Sequence, residues 1–134
     1  MDNCIFCKLA NHIFETNIVY EDDLCCVFLD ANPSALGHVL VVPKKHYENI
    51  LQCDDDTLFA MSKAIKIVGN ALLETYGIGL NVLSNIKEAA GQVVMHAHIH
   101  LIPVNKDGTK ANISFASIKE FDANKVKETI KAKI

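Results

Sequence analysis

Three histidines stand at alternate positions in the run Gly91-Gln92-Val93-Val94-Met95-His96-Ala97-His98-Ile99-His100-Leu101-Ile102-Pro103. Alternate residues of a β-strand project from one face. His96, His98 and His100 then form a row, while Ala97, Ile99 and Leu101 turn to the core. Three polar rings are costly to bury without partners, so the row reads as chemistry rather than packing. Two chemistries fit. His-x-His on a strand can present two imidazoles to zinc. Alternatively, a neutral imidazole can attack phosphorus and form a labile phosphoramidate that water then cleaves. The neighbouring residues favour the second. Gly91 lets backbone approach an anion, and the Gln92 amide can donate to phosphate oxygens.

A second set of reactive side chains lies near the start of the chain. Cys4 and Cys7 form a C-x-x-C pair, either a metal half-site or a redox pair. Cys25, Cys26 and Cys53 complete an odd total of five cysteines, two of them adjacent. That is a poor disulfide framework and points to reduced thiols in the cytoplasm. Cys25 and Cys26 sit in an apolar run and read as small buried side chains.

The elements that must position these groups are legible from periodicity. Leu58, Met61, Ile65, Val68 and Leu72 recur at helical spacing and predict a long helix from about Asp55 to Tyr76. Asp54 to Thr57 supply caps and negative charge at its start. Gly77 suits a left-handed stop at its end. Phe59, Ala64, Ile67, Ala71 and Leu73 widen the apolar face enough to cover a sheet and a second copy of the chain, so a homodimer is expected. Strands are predicted at Asn17–Tyr20, Cys25–Asp30, Val39–Pro43, Gly79–Ser84 and Ala97–Pro103. Asp22-Asp23 reads as a hairpin turn, and Pro33 to Gly37 as a loop. Val126, Ile130 and Ile134 predict a final helix near Asp122 to Ile134, with lysines crowding its end. The expected fold is α+β, an antiparallel sheet of about five strands with one long helix and a C-terminal helix.

The chain has 134 residues, half of them apolar, and a formal net charge of −3. One domain with a substantial core is expected. The acidic balance argues against a nucleic-acid binder. The polar start from Met1 to Cys4 resembles no signal peptide, and no apolar run is long enough to cross a bilayer. A cytoplasmic protein with no membrane partner is expected.

The motif at His96 to Ile102, His-φ-His-φ-His-φ-φ with φ apolar, resembles that of the histidine-triad (HIT) superfamily, with Ala97 counted as apolar. Ile5-Phe6-Cys7-Lys8, Tyr20-Glu21-Asp22, Phe28-Leu29-Asp30 and Gly37-His38-Val39-Leu40-Val41-Val42-Pro43-Lys44-Lys45-His46 are similar to HIT segments in the same order. The chain is most similar to short bacterial HIT proteins of the Hint type. The likeness covers roughly Cys4 to Pro103 within a single domain of residues 1–134. Residues 104–134 form an extension without a motif.

The resemblance implies a nucleotide hydrolase or nucleotidyl transferase acting on the α-phosphate of nucleoside phosphoramidates or related purine nucleotides. His98 would be the nucleophile, its other ring nitrogen donating to a backbone carbonyl. His100 would bind phosphate oxygens and help protonate the leaving group. Gln92 would lie beside the leaving group, with Asn85 and Gly91 in the phosphate region. Asp30 would accept from the ribose hydroxyls, and Ile5, Phe6 and Phe28 would wall the base. Phe28 and Ile5 could equally be core, and Asp30 a turn residue before Asn32-Pro33. Cys4, Cys7, His46 and His96 would hold a structural zinc, with no organic cofactor. His38 would be structural, beside the catalytic strand. Val93 stands where many relatives have serine, and Val104 where arginine is frequent. The alternatives are a dinucleoside polyphosphate hydrolase, a nucleotide-binding module with little turnover, and a zinc hydrolase liganded by His96, His98 and His100.

Overall fold

The computed structural model describes residues 3–134. Met1 and Asp2, part of the polar start, lie outside the described residues. The order is α1 (Ile5–Ala10), β1 (Ile18–Glu21), β2 (Cys25–Leu29), β3 (Val39–Pro43), α2 (Asp55–Thr75), β4 (Gly77–Leu83), β5 (Ile99–Asn105) and α3 (Ala123–Lys131). The strands form one antiparallel sheet in the order β1-β2-β3-β5-β4. This is the expected α+β architecture.

Strand alternation divides the core in two. Cys25, Val27, Val39, Val41, Ile99 and Leu101 face Ala60, Met61, Ala64, Val68 and Leu72 of α2. Cys26, Phe28, Leu40 and Val42 point the other way and meet Phe6 and Ala10 of α1. A sheet covered on both faces needs apolar residues at every position of its central strands. All five residues of β3 are accordingly buried. Burial pushes the Cys25 thiol up to about 12 and those of Cys26 and Cys53 up to about 11, which makes them inert packing groups. Asp22 builds the expected turn, its Oδ1 accepting from the amides of Leu24 and Cys25 at 2.8 Å each.

Helix α2 starts as the sequence predicts. Asp54 caps it, accepting from the Thr57 amide at 2.8 Å, and Asp55 and Asp56 lie in the first turn. Its end differs from expectation. Tyr76 closes the helix in a right-handed conformation, and Gly77 opens β4 with no positive φ. A Cβ on Gly77 would stand 3.0 Å from the Gly79 carbonyl oxygen, across a register shift in the β4–β5 pairing. This glycine serves close backbone approach rather than a left-handed cap.

The short helix α1 was not expected. Its N-cap is Cys4, whose sulfur accepts from the Cys7 amide at 3.4 Å, outside the usual Ser, Thr, Asp and Asn signals. Helix α3 forms near the expected place, capped by Asp122, but none of its residues is buried. Every residue from 112 to 134 is exposed.

Candidate active site and metal centre

Strand β5 begins at Ile99, so His96 and His98 precede it and only His100 belongs to it. The alternation still holds through the approach, since Ala97 joins Ile99 and Leu101 against α2. The three rings consequently lie on the opposite side, where α1 and Phe28 pack. They do not share one environment. His96 meets the cysteines, and His98 and His100 face a groove.

At the thiol end, Cys4, Cys7, His46 and His96 each offer one ligand atom, all within 4.8 Å of one another. Nδ1 of His96 lies 3.3 Å from Cys4 Sγ and 3.4 Å from Cys7 Sγ, and Nδ1 of His46 lies 3.3 Å from Cys7 Sγ. His96 is fully buried, and its Nε2 donates to the Pro43 carbonyl at 2.8 Å. That bond fixes the tautomer and leaves the Nδ1 lone pair aimed at the sulfurs. Burial lowers the His96 pKa to about 4, so the ring is neutral. Burial, with Cys4 beside it, pushes Cys7 up to about 11. Two sulfurs and two imidazole nitrogens at these separations match the donor set of a tetrahedral structural zinc site.

At the groove end, Nδ1 of His98 donates to the His96 carbonyl at 2.7 Å. Nε2 is therefore the nitrogen with the free lone pair. The Ser84 hydroxyl holds the His98 carbonyl at 2.7 Å, and Phe6 packs edge-on to the His98 ring at 5.1 Å. The tautomer of His100 follows from its neighbour. The Ser34 amide donates to His38 Nδ1 at 2.9 Å, so His38 carries its hydrogen on Nε2. That nitrogen lies 2.9 Å from His100 Nδ1 and 3.4 Å from Asp30 Oδ2. His100 Nδ1 thus accepts, and its Nε2–H remains to donate. Burial drives the His100 pKa to about 4, with the nearby His98 and His38 rings acting in the same direction. Burial also lowers His38, against the pull of Asp30.

The groove has a volume of ≈ 1150 Å³ and is lined in part by Ile5, Phe6, Phe28, Asp30, Asn85, Gly91, His98 and His100. Phe6 and Phe28 make an edge-on pair 5.7 Å apart, so they are core and groove wall together. Asp30 is a turn residue that also lines the groove. Its Oδ1 accepts the Asn32 amide at 2.8 Å as a turn residue, while Oδ2 faces His38. Gly91 adopts φ +96, and Asn85 Nδ2, bonded to the Ala90 carbonyl at 2.7 Å, lies 3.3 Å from where its Cβ would stand.

Gln92 is placed differently from expectation. Its amide faces the body, accepting from the Lys87 amide at 2.7 Å and donating to Glu48 O at 2.6 Å and Val94 O at 3.0 Å. Both amide hydrogens are engaged, which leaves none for a phosphate. Its role in this geometry is to tie the loop before His96 to the body. Val93, by contrast, is 88% exposed at the groove. Two groove features had no sequence signal: the contact of His38 with His100, and a wall formed by Lys110, Ala111, Asn112 and Ile113. No helix among the described residues is long and apolar enough to cross a membrane.

A five-stranded sheet carrying a row of histidines over an open groove defines a histidine-triad architecture. The HIT-domain family model matches residues 12–107, and the chain belongs to the HIT family. It is 40% identical to an uncharacterized HIT-like protein of Methanocaldococcus jannaschii, covering 96% of this chain and 98% of the relative. It is 38% identical to an adenylylsulfatase of Arabidopsis thaliana, over 76% of this chain and 52% of the relative. The crystal structure of a HIT-family protein from Bacillus subtilis superposes with a TM-score of 0.90 at 33% identity, over 98% of this chain and 97% of that one. A zinc-bound histidine-triad family protein from Mycobacterium smegmatis superposes with a TM-score of 0.76 at 28% identity, over 87% and 85%. Residues 113–134 are 22 of the 134. The Bacillus subtilis superposition, covering 98% of this chain, extends into that segment.

Proposed function

We propose that this protein is a nucleotidyl hydrolase or transferase in which His98 Nε2 attacks the α-phosphate of a purine nucleotide. The carrying observation is the bond from His98 Nδ1 to the His96 carbonyl, which leaves Nε2 as nucleophile and keeps a hydrogen on Nδ1. As the N–P bond forms, the bond from phosphorus to the leaving group breaks. The nucleotidylated ring becomes cationic, and its Nδ1–H strengthens the bond to that carbonyl. His100 Nε2–H donates a hydrogen bond to a phosphate oxygen or to the departing atom, which takes its proton from solvent. Water then attacks the same phosphorus, its surplus proton passing to solvent, and His98 leaves as neutral imidazole. The second hydrogen of the Asn85 side-chain amide contributes a donor to the phosphate region, and Gly91, lacking a Cβ, leaves the room for it. Asp30 accepts from the ribose, and Ile5, Phe6 and Phe28 hold the base. Phosphoramidates are the substrates we favour, with an amine as leaving group.

The groove volume exceeds the usual span of small-ligand pockets, about 300–1,000 Å³. That favours dinucleoside polyphosphates as the second reading. The thiol cluster is proposed to hold zinc, which would tie α1 to the segment entering β5 and take no part in the reaction. The protein is proposed to act in the cytoplasm as a homodimer.

The deciding experiment is incubation with an adenosine phosphoramidate, with intact-mass detection of an adenylyl adduct on wild type and His98→Ala. Turnover with an adduct lost in the variant supports the reading. Tight nucleotide binding without adduct or turnover, with diadenosine polyphosphates also inert, would make the protein a binding module.

A further inference from the structure

The groove runs beyond the residues assigned to phosphate and ribose. At its far end Glu15 and Thr16 form a wall with Leu9 and Leu29. Backbone bonds hold them there. The Ile13 and Phe14 amides both donate to the Lys8 carbonyl, at 2.8 and 3.2 Å, which turns the chain back against α1. The Leu29 amide donates to the Asn17 carbonyl at 3.0 Å, which lays the same segment beside the end of β2. Sheet order sets the distance to the chemistry. His100 is on β5 and Glu15 leads into β1, with β3 and β2 between them. Three strand spacings are roughly 14 Å. A nucleotide with its α-phosphate at His98 reaches toward this wall with the outer edge of its base.

The wall carries polar groups without protein partners. Among the described residues, the Glu15 carboxylate makes no ion pair. No hydrogen bond engages it or the Thr16 hydroxyl. The nearby cations are committed elsewhere. Lys8 Nζ stands over the Phe14 ring at 5.1 Å, and His12 and Lys44 bond Glu21 at 2.7 and 2.6 Å. A planar base packed on Phe6 and Phe28 therefore presents its edge to one carboxylate and one hydroxyl.

A carboxylate only accepts hydrogen bonds, so it selects an edge made of donors. Guanine offers two in a row, N1–H and the 2-amino group, with the O6 acceptor beside them. Adenine offers its 6-amino group next to the N1 lone pair, which a carboxylate repels. We propose that Glu15 and Thr16 read the base and make the groove selective for guanine nucleotides. The Glu15 oxygens accept from N1–H and the 2-amino group, and the Thr16 hydroxyl donates to O6. Both bonds to Glu15 are charge-assisted, and adenine cannot replace them. This rests on the groove being a nucleotide site, as proposed above, and adds which purine it takes. It does not depend on the attack by His98.

The test is isothermal titration calorimetry of the full chain with GMP, IMP and AMP, on wild type, Glu15→Ala and Glu15→Gln. Wild type should bind GMP at least about tenfold more tightly than AMP. IMP, which keeps N1–H and O6 but lacks the 2-amino group, should fall between them. In Glu15→Ala the GMP-to-AMP ratio should drop to within about threefold of unity, and Glu15→Gln, which removes the charge, should lose most of the preference. Both variants change an exposed side chain and should keep the wild-type circular dichroism. Equal affinities for GMP and AMP in wild type would overturn the proposal and leave the nucleotide reading intact. A guanine preference that survives Glu15→Ala would overturn it as well. Failure of all three nucleotides to bind would overturn this proposal and the nucleotide reading together.

Discussion

At the thiol end of the histidine row, Nδ1 of His96 and Nδ1 of His46 point toward two sulfurs, and all four ligand atoms converge on one point. At the groove end, Asp30, His38 and His100 cluster as closely. There a hydrogen on His38 Nε2 already stands between the acceptors Asp30 Oδ2 and His100 Nδ1. The first arrangement leaves lone pairs facing inward, which suits a cation. The second is satisfied by a proton and hands the outer Nε2–H of His100 to a ligand. Ligand type and spacing are similar in both. The backbone partner of each imidazole separates them: Pro43 O fixes His96 with Nδ1 free, and the Ser34 amide fixes His38 with Nε2 protonated. His96 belongs to both ends, because its ring enters the thiol cluster and its carbonyl holds His98.

The largest expected effect comes from removing the nucleophile. His98→Ala should lower turnover by at least about 10³-fold and abolish the adduct, with nucleotide binding and melting temperature near wild type. Turnover within tenfold of wild type would reassign the chemistry. Breaking the other end should give the opposite profile. Cys7→Ala should remove bound metal and lower the melting temperature by roughly 10 °C, since binding energy at a structural site is folding energy. Zinc-free protein whose melting point ignores the substitution would end the metal reading. His38→Gln should sharpen the contrast by disturbing only the groove end. We expect turnover down about 10- to 100-fold with metal content unchanged, through loss of the His100 tautomer lock. Loss of metal in this variant would mean that the two ends are one unit.

The smallest effect is on pH dependence. The folded-state pKa of His100 is about 4, below the ordinary 6.5. Over that interval the unfolded chain binds more protons, so stability rises with pH. This contribution is complete above pH 6.5 and is lost as pH falls toward 4. Denaturant titrations at pH 7 and 5 should show it, and His100→Gln should flatten the slope. An unchanged slope would show that His100 is not the titrating group.

Periodic elements were legible in the sequence because packing writes them there. Leu58 to Leu72 marked α2, Asp54 its cap, and the apolar runs at 25–29 and 39–43 the central strands. The groove residues Ile5, Phe6, Phe28, Asp30, Asn85, Gly91, His98 and His100 converge because the register sets His100 opposite Leu40 and Leu83. Direction was not legible. Nothing in the identity of Gln92 tells that its amide turns to Glu48 and Val94. Gly77 follows a helix and looks like a cap, yet a strand starting there accounts for it. Helix α1 escaped notice because a cysteine caps it. His38 is expected beside the catalytic strand, but its bond to His100 is not, because that depends on which of its nitrogens the Ser34 amide meets.

The separation of the C-terminal segment from the body has a consequence for how the chain can change over generations. No side chain beyond Ala111 helps to close either half of the core. Past the groove wall at Asn112 and Ile113, substitutions leave the sheet, the groove floor and the thiol cluster folded. The sequence and length of that stretch can drift while the chemistry upstream is kept. One stable body can in this way carry different C-terminal segments without a new fold.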